Sequence, residues 1–411
     1  MPISVAREGE SLAKQLCPPR NTFGVAADAN RSYTGVMNRY DAIVLGAGGI
    51  GSAALYHLAS RGVRAIGVDR FDPPHDRGSS HGQSRVIRQA YFEHPDYVPL
   101  VVESYRMWHE LEQRTGRRLL HQVGAVEIGP ADGVVVPGVL RAADEHQLAV
   151  ESLTAAEIRA RWPGLRVEDP LVGVYEPTAG YLLVEDCVQA HLDAARDAGA
   201  ELLADTEVVS WSADESGVRV RTSNDEIGAD RLVITAGAWA GQLLADLHIR
   251  LTVRRKSLFW FATDAAQYDV AAGFPVFLFE LPDGVFYGFP QLDPRGVKFA
   301  EHSGGRVLDV PLAADRSIDP EEQRRLRDVL PRHLPGVSPR VTDHAVCLYT
   351  MSPDEHFIVD RHPAHPNVTF AAGLSGHGFK FAPILGQALA DLALHGGTDL
   401  PTRFLSLARF G

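Results

Sequence analysis

Positive charge is in short supply in this chain. Its 411 residues hold 40 lysines and arginines against 52 aspartates and glutamates, a formal charge of −12. The basic surplus that a phosphate backbone demands is missing, so nucleic acid is not an expected partner. Cysteine is scarcer still. Cys17, Cys187 and Cys347 stand far apart, which gives neither a disulfide framework nor the C-x2-C spacing of a zinc site. A reducing cytoplasm fits that usage, and no metal is expected. Long apolar runs are also lacking. The longest stretch free of Asp, Glu, Lys and Arg is Ala42–Ser60, about the length of a bilayer-spanning helix, and Gly46, Gly48, Gly49 and Gly51 lie inside it. Those glycines point to a tight turn, so no membrane partner is expected. Residues 1–38 have no apolar stretch of the kind a signal peptide needs, and read as a disordered extension. Met37, just before the first strong strand, is a candidate start.

With 45% hydrophobic and 22% charged residues, the chain has a globular composition, and its length predicts two or three domains or one large core with insertions. The pattern is alternating α/β with one antiparallel section. Tyr40–Leu45 reads as a strand, Ile50–Arg61 as a helix and Arg64–Asp69 as a second strand. Helices are expected at Pro99–Gly116, at Val184–Ala200 and from Thr154, where Thr-Ala-Ala-Glu makes a capping box. Short β-branched runs follow at Thr206–Trp211, Val218–Thr222 and Leu232–Thr235, then a helix at Trp239–Leu247. From Val253 to His302 aromatic-rich strands separated by turns suggest a separate antiparallel sheet. A charged helix (Glu321–Leu334), strands at Ala345–Tyr349, Phe357–Asp360 and Val368–Ala372, and a helix from Gly378 to His395 complete the chain.

The first chemical signal is Gly46-x-Gly48-x-x-Gly51 between strand and helix. Two glycines allow a tight turn and close approach to a pyrophosphate, the third lets the helix pack on the strand, and the helix N-terminus offers amides. Asp69, closing the second strand, suits a ribose hydroxyl. This fingerprint does not separate NAD from FAD. The loop that follows, Arg70 to Tyr91, carries arginines at three-residue spacing. Surface arginines would read the same way, as would one that forks onto a substrate carboxylate. Near the end, Leu374-Ser-Gly376-His377-Gly378-Phe-Lys380-Phe is again a glycine turn opening a helix: a plain cap, or amides that stabilise charge on a reduced flavin. Taken alone, Cys347 reads as a core cysteine and Lys298 as an edge-strand lysine.

Five pieces in order change that reading. They are Asp-Pro-Pro-His75 with Gly78-Ser-Ser-His81-Gly-Gln-Ser84-Arg85-Val-Ile-Arg88; Tyr287-Gly-Phe-Pro; Lys298 to His302; Cys347-Leu-Tyr349-Thr with Pro353-Asp-Glu-His-Phe-Ile-Val-Asp360; and Gly373-Leu-Ser-Gly376-His377-Gly378-Phe-Lys380-Phe. From Tyr40 onward the sequence resembles the monomeric sarcosine oxidase and N-methyltryptophan oxidase family of covalent flavoproteins. The resemblance implies FAD joined through Cys347 by a thioether, and Lys298 as the residue that speeds reaction with O2. It implies Arg88 and Lys380 as the pair on the substrate carboxylate, and His302, Tyr287 and Tyr349 around the amine. His302 is further expected to help set the amine's ionisation. His81, Ser84 and Arg85 would lie near the flavin, with Gly46, Gly48, Gly51, Asp69, Val208, Gly376, His377 and Gly378 holding the cofactor. Ser80 and Ser84 depart from the sarcosine oxidase pattern, which puts the surroundings of flavin and substrate in question, and the C-terminal runs are nearer to the N-methyltryptophan branch.

The expectation is therefore an α/β protein with a Rossmann-type FAD-binding domain (39–120, 180–252 and 345–411) and an interleaved antiparallel substrate domain (121–179 and 253–344). Its reaction would be FAD-dependent oxidative demethylation of N-methyl α-amino acids by O2, in a cytoplasmic monomer. Alternatives are an oxidase of cyclic or primary amino acids, and a non-catalytic flavin-binding redox sensor. A nicotinamide-dependent dehydrogenase would have no reason for Cys347 or Lys298.

Overall fold

The computed structural model describes residues 39–411, so the disordered extension expected at 1–38 lies outside the described residues. Arg39–Leu45 is buried over its second half and runs into a helix, Gly49–Ala59, that starts without a side-chain cap because Gly48 occupies the cap position. It pairs in parallel with Ala65–Val68 on one side and Glu226–Ile234 on the other. Val368–Ala372 extends the sheet beyond Glu226–Ile234 in parallel, and Glu201–Leu203 extends it beyond Ala65–Val68. Strands buried on both faces read as continuous apolar runs, as Ala42–Leu45 does. The helices Gly49–Ala59, Val184–Asp197, Ala382–His395 and Val98–Thr115 share one core with this eight-stranded sheet.

A second, nine-stranded sheet takes Thr252–Phe261, Val276–Leu281, Gly284–Phe289, Val297–Glu301 and Val341–Met351, together with Ala125–Gly129, Val172–Glu176, Glu151–Thr154 and Arg306–Leu308. Alternate residues of a strand face opposite sides. Phe259, Phe261, Phe277, Phe279, Phe286 and Phe299 go to one side, where the helix Pro320–His333 covers them through Leu326, Val329 and Leu330. The other side receives Leu258, Trp260, Val276, Tyr287, Phe289, Ala300, Cys347 and Tyr349. One row crosses this second face: Ala300, Tyr287, Leu278 and Glu127 are direct neighbours on successive strands. A small sheet of Ser84–Ile87, Gly180–Leu183 and Leu120–Gln122 carries the arginine segment.

The capping box forms as expected: Thr154 Oγ1 accepts from Glu157 N–H and Glu157 Oε2 accepts from Thr154 N–H. Elsewhere the pattern was incomplete. The helix expected at Trp239–Leu247 is broken into a 3₁₀ turn at Gly237–Trp239, one α turn at Ala240–Leu243 and a second 3₁₀ turn at Ala245–Leu247; Gly237 (φ +52°) and Gly241 favour the interruption. The strand expected at Ala345–Tyr349 runs from Val341 to Met351 along Thr252–Phe261, so residue 345 lies inside a strand of the second sheet. The helix Val135–His146 went unexpected. Among the described residues no helix is long and apolar enough to cross a membrane.

Candidate active site

A cavity of about 350 Å³ opens at the glycine turn and reaches Cys347. Gly46 has φ +86°, and a Cβ there would meet the Thr235 carbonyl at 2.6 Å, so only glycine fits. Gly48 is open to the cavity, its hypothetical Cβ no nearer than 3.5 Å to Ser80 Oγ. Gly51 does not line the cavity. A Cβ there would lie 1.7 Å from the Gly46 carbonyl oxygen, which makes it the close-packing glycine. Asp69 accepts from Ala47 N–H (2.7 Å) and Phe71 N–H (3.0 Å), so its carboxylate braces the turn as well as facing the cavity. Val208, Gly376 and Gly378 line the same space, as do Ser80, Pro74 and Trp239, which the sequence reading did not assign to the cofactor.

At its far end Cys347 is buried, with Sγ 3.2 Å from an Arg85 nitrogen. Arg85 also donates to Ser79 O (2.8 Å) and Ser84 O (2.9 Å), which fix the guanidinium beside the sulfur. Lys298, Ser84 and His81 line neither cavity. They form a layer behind Arg85: Lys298 Nζ donates to Gly82 O (2.6 Å), Ser84 O (2.8 Å) and Ser84 Oγ (3.2 Å), over the Phe289 ring. Burial, and then Arg85, hold the Lys298 ammonium well below its ordinary pKa. His81 is lowered to about 4 by burial, and its Nε2 has no hydrogen-bond partner among the described residues. It is a neutral ring.

A second cavity of about 70 Å³ shares Arg85, Tyr349, Gly376 and Phe379 with the first. It brings together Arg88, Lys380, His302, Tyr287 and Tyr349, and also His377, which the sequence reading had placed on the cofactor. His377 Nε2 faces Glu355 O at 3.0 Å, so that nitrogen carries the proton and Nδ1 accepts from Tyr91 OH at 2.6 Å. Lys380 Nζ donates to Tyr91 OH (3.3 Å) and His377 O (3.0 Å), leaving one of three ammonium hydrogens free of those contacts. Burial, with Arg88 nearby, lowers Lys380 to about 7. His302, next to Tyr349 OH at 3.4 Å, is lowered by burial to about 4 and is neutral near pH 7.

Arg88 is already engaged. One terminal nitrogen donates to both oxygens of Glu93 (2.8 and 2.7 Å), the other donates to Ala90 O (3.1 Å), and Nε lies 3.2 Å from Glu127 Oε1. The rings of Tyr91 and Phe92 pack on its guanidinium. Glu93 and Glu127 are the site residues that sequence reasoning missed. Glu93 resembled any loop acid. Glu127 did leave a signal, an acid inside the fully buried strand Ala125–Gly129. Away from both cavities, Asp246, His362 and His365 place three potential ligand atoms within 4.8 Å. His362 Nδ1 accepts from Ala364 N–H, so Nε2 carries the ring's one proton 2.8 Å from Asp246 Oδ2, and with burial lowering its pKa the contact is one of a neutral imidazole with a carboxylate.

Residues 41–392 match, as one stretch, the family described as FAD dependent oxidoreductase. The chain belongs to that family. Monomeric sarcosine oxidase of Bacillus sp. (strain B-0618) is 39% identical over 379 residues, 91% of this chain and 97% of that one. Monomeric sarcosine oxidase of Streptomyces avermitilis is 43% identical over 370 residues, 88% and 95% respectively. N-methyl-L-tryptophan oxidase of Salmonella dublin is 37% identical over 378 residues, 90% and 99%. Among solved structures NikD, described as an unusual amino acid oxidase, superposes with a TM-score of 0.80 at 26% identity, covering 90% of this chain and 97% of that one. This FAD-dependent oxidoreductase is accordingly a mixed α/β flavoprotein, and its turn fits the cofactor: the cradle at Gly46 would be filled by a Cβ, and Gly48 faces the cavity unobstructed.

Proposed function

We propose that the chain is an amine oxidase that converts an N-methyl α-amino acid, O2 and water into the free amino acid, formaldehyde and hydrogen peroxide. What carries the reading is the pair of joined cavities, one built on the glycine turn and ending at Cys347, the other presenting Arg88 and Lys380 to a small molecule. Its relatives' names, sarcosine and N-methyl-L-tryptophan oxidase, support the substrate class. FAD, when bound, supplies the two-electron acceptor. Gly46, Gly48, Asp69 and Val208 would hold its nucleotide part, with Gly51 fixing the helix behind them. Arg85 would orient the ring end, backed by His81 and Ser84, and Cys347 would form the thioether. Gly376 and Gly378 would offer backbone amides.

Arg88 and Lys380 position the substrate carboxylate, so that the N-methyl carbon is held as a near-attack conformer. Lys380 has a hydrogen free for it, and Arg88 must exchange Glu93 for the substrate or share a remaining Nη1 hydrogen. Tyr287, Tyr349 and neutral His302 wall the amine. His302, lowered to about 4 by burial, is unprotonated near pH 7 and takes a hydrogen bond from the substrate nitrogen, while the positive charge of Arg88 and Lys380 in the same cavity disfavours the ammonium and so favours the neutral amine. Lys298 is the proposed charge beside the oxygen-reacting face. We further assign the eight-stranded sheet to the cofactor and the nine-stranded sheet to the substrate, in a cytoplasmic monomer.

The deciding experiment is anaerobic mixing of the yellow protein with sarcosine and N-methyltryptophan, followed by oxygen. Bleaching of the flavin absorbance, then stoichiometric peroxide and formaldehyde, is expected. A flavin that stays oxidised with every secondary amino acid offered would overturn the assignment.

A further inference from the structure

The amine cavity contains an acid that the proposed reaction leaves without a task. Glu127 is 3% exposed, lines the second cavity, and its Oε1 accepts no hydrogen bond among the described residues. Arg88 Nε lies 3.2 Å away, yet out of hydrogen-bonding alignment, and Arg88 already has the Glu93 carboxylate as its partner. The pair is therefore one of charge, and it leaves Oε1 with no hydrogen-bond donor. Burying a carboxylate without a donor costs several kcal/mol in general, so an acid in this position needs one supplied from the cavity.

The sheet says which part of a substrate can supply it. Tyr287, Leu278 and Glu127 are direct neighbours on three successive strands and share a face. At 4.7–4.9 Å per strand, Glu127 starts roughly 10 Å from Tyr287, the residue at the amine wall. Between and around them stand Leu278, Val276, Ala125 and Phe92, which offer no side-chain acceptor. A molecule anchored by its carboxylate at Arg88 and Lys380, with its nitrogen against Tyr287, Tyr349 and His302, directs its α-substituent along that apolar row.

We propose that Glu127 is a specificity-determining residue that accepts a hydrogen bond from the substrate's side chain, so the preferred substrate is a secondary α-amino acid whose side chain bears an O–H or N–H donor. The inference rests on the amine oxidase reading above. The charged and titratable groups facing Glu127 agree with it. Arg88 and Lys380 bring positive charge, Glu93 and Glu176 negative charge, and burial first of all raises Glu127 to about 7. An acid poised there is held by its surroundings in neither state firmly and is satisfied by a donor that arrives with the ligand.

The test compares isosteric pairs: N-methylserine with N-methyl-2-aminobutyrate, N-methylhomoserine with N-methylnorvaline, and N-methylornithine with N-methylnorleucine, beside sarcosine. The quantity read is the ratio of kcat/KM within each pair, in the wild type, Glu127→Gln and Glu127→Leu. A ratio inside one protein does not move if a variant is merely less stable, and Glu127→Gln keeps an acceptor oxygen. At least one wild-type ratio should favour the donor by about a hundredfold, since a site with a buried acceptor rejects the apolar isostere strongly. Glu127→Leu should bring that ratio to about one or below, and Glu127→Gln should retain part of it. Wild-type ratios near one in every pair would overturn the proposal, as would a preference that survives Glu127→Leu. An equal loss on every substrate, sarcosine included, with a displaced pH profile would place Glu127 at the α-nitrogen and likewise refute it. Turnover of sarcosine with flat ratios sinks this inference alone, whereas no flavin reduction by any member of the panel sinks the oxidase reading itself.

Discussion

A buried lysine at about 7 and a buried glutamate at about 7 face one small cavity, and both titrations push anion binding the same way. Below pH 7 Lys380 carries its proton and Glu127 is neutral; above it Lys380 loses charge and Glu127 gains a negative one. A simple carboxylate without an amine, such as propionate, should therefore bind more weakly as pH rises from 6 to 8.5, by about tenfold per pH unit for each linked proton. The perturbation of the flavin spectrum reports Kd at each pH, and a Kd constant over that range would remove the carboxylate site from Arg88 and Lys380. Lys298 belongs to a separate event. Its three oxygen acceptors engage all three hydrogens of an ammonium behind Arg85, which opposes the burial that lowers its pKa, and the proposed role of that charge is to stabilise an anion developing from O2. Lys298→Met should slow reoxidation by orders of magnitude and change flavin reduction far less; stopped-flow measurement of both half-reactions checks it, and equal slowing would show that Lys298 only supports the loop.

At the scale of elements, the glycine turn is where local rule and tertiary packing coincide. Gly51 sits within the first turn of Gly49–Ala59 with Gly46 O and Thr235 Oγ1 in the space of a side chain. Gly51→Ala cannot be absorbed by a flexible neighbour because backbone is what it meets, so strand and helix must separate. That variant should lose most of its bound flavin and several degrees of Tm; unchanged flavin content would refute the packing role. The strand–turn–helix was legible because the fingerprint states its own geometry, and the aromatic strands from Thr252 to Glu301 were legible because period-two alternation separates Phe259, Phe261, Phe277 and Phe299 from Trp260, Val276 and Tyr287. Val135–His146 was not. Its Val-Val-Pro-Gly opening reads as a turn, yet Pro137 falls in the first helical turn, where no amide partner is lost, and Gly138 is required by the Phe92 backbone, 2.7 Å from a Cβ. Arg88 stood out in the sequence among the spaced arginines, but its acidic neighbours Glu93 and Glu127 come from a loop and from the second sheet, which no local pattern joins.

Across the whole molecule, the larger cavity is lined by Gly46, Gly48, Thr206–Val209 and Ala371–Leu374 from around the eight-stranded sheet and by Cys347–Thr350 from the nine-stranded one. A ligand that fills it touches both sheets, so its binding free energy adds to folding stability, by RT ln(1 + [L]/Kd), about 4 kcal/mol at a thousandfold excess over Kd. A tether through Cys347 would make that gain independent of free cofactor, because the bound group cannot leave before unfolding. Cys347→Ser removes the tether and little volume. Its flavin should be released into the supernatant on acid precipitation, and its Tm should climb steadily as FAD is added, while the Tm of the wild type stays flat over the same additions. If the wild type also releases its flavin in acid and its Tm also climbs, the thioether is absent, and the two sheets are joined across the cavity by reversible binding alone.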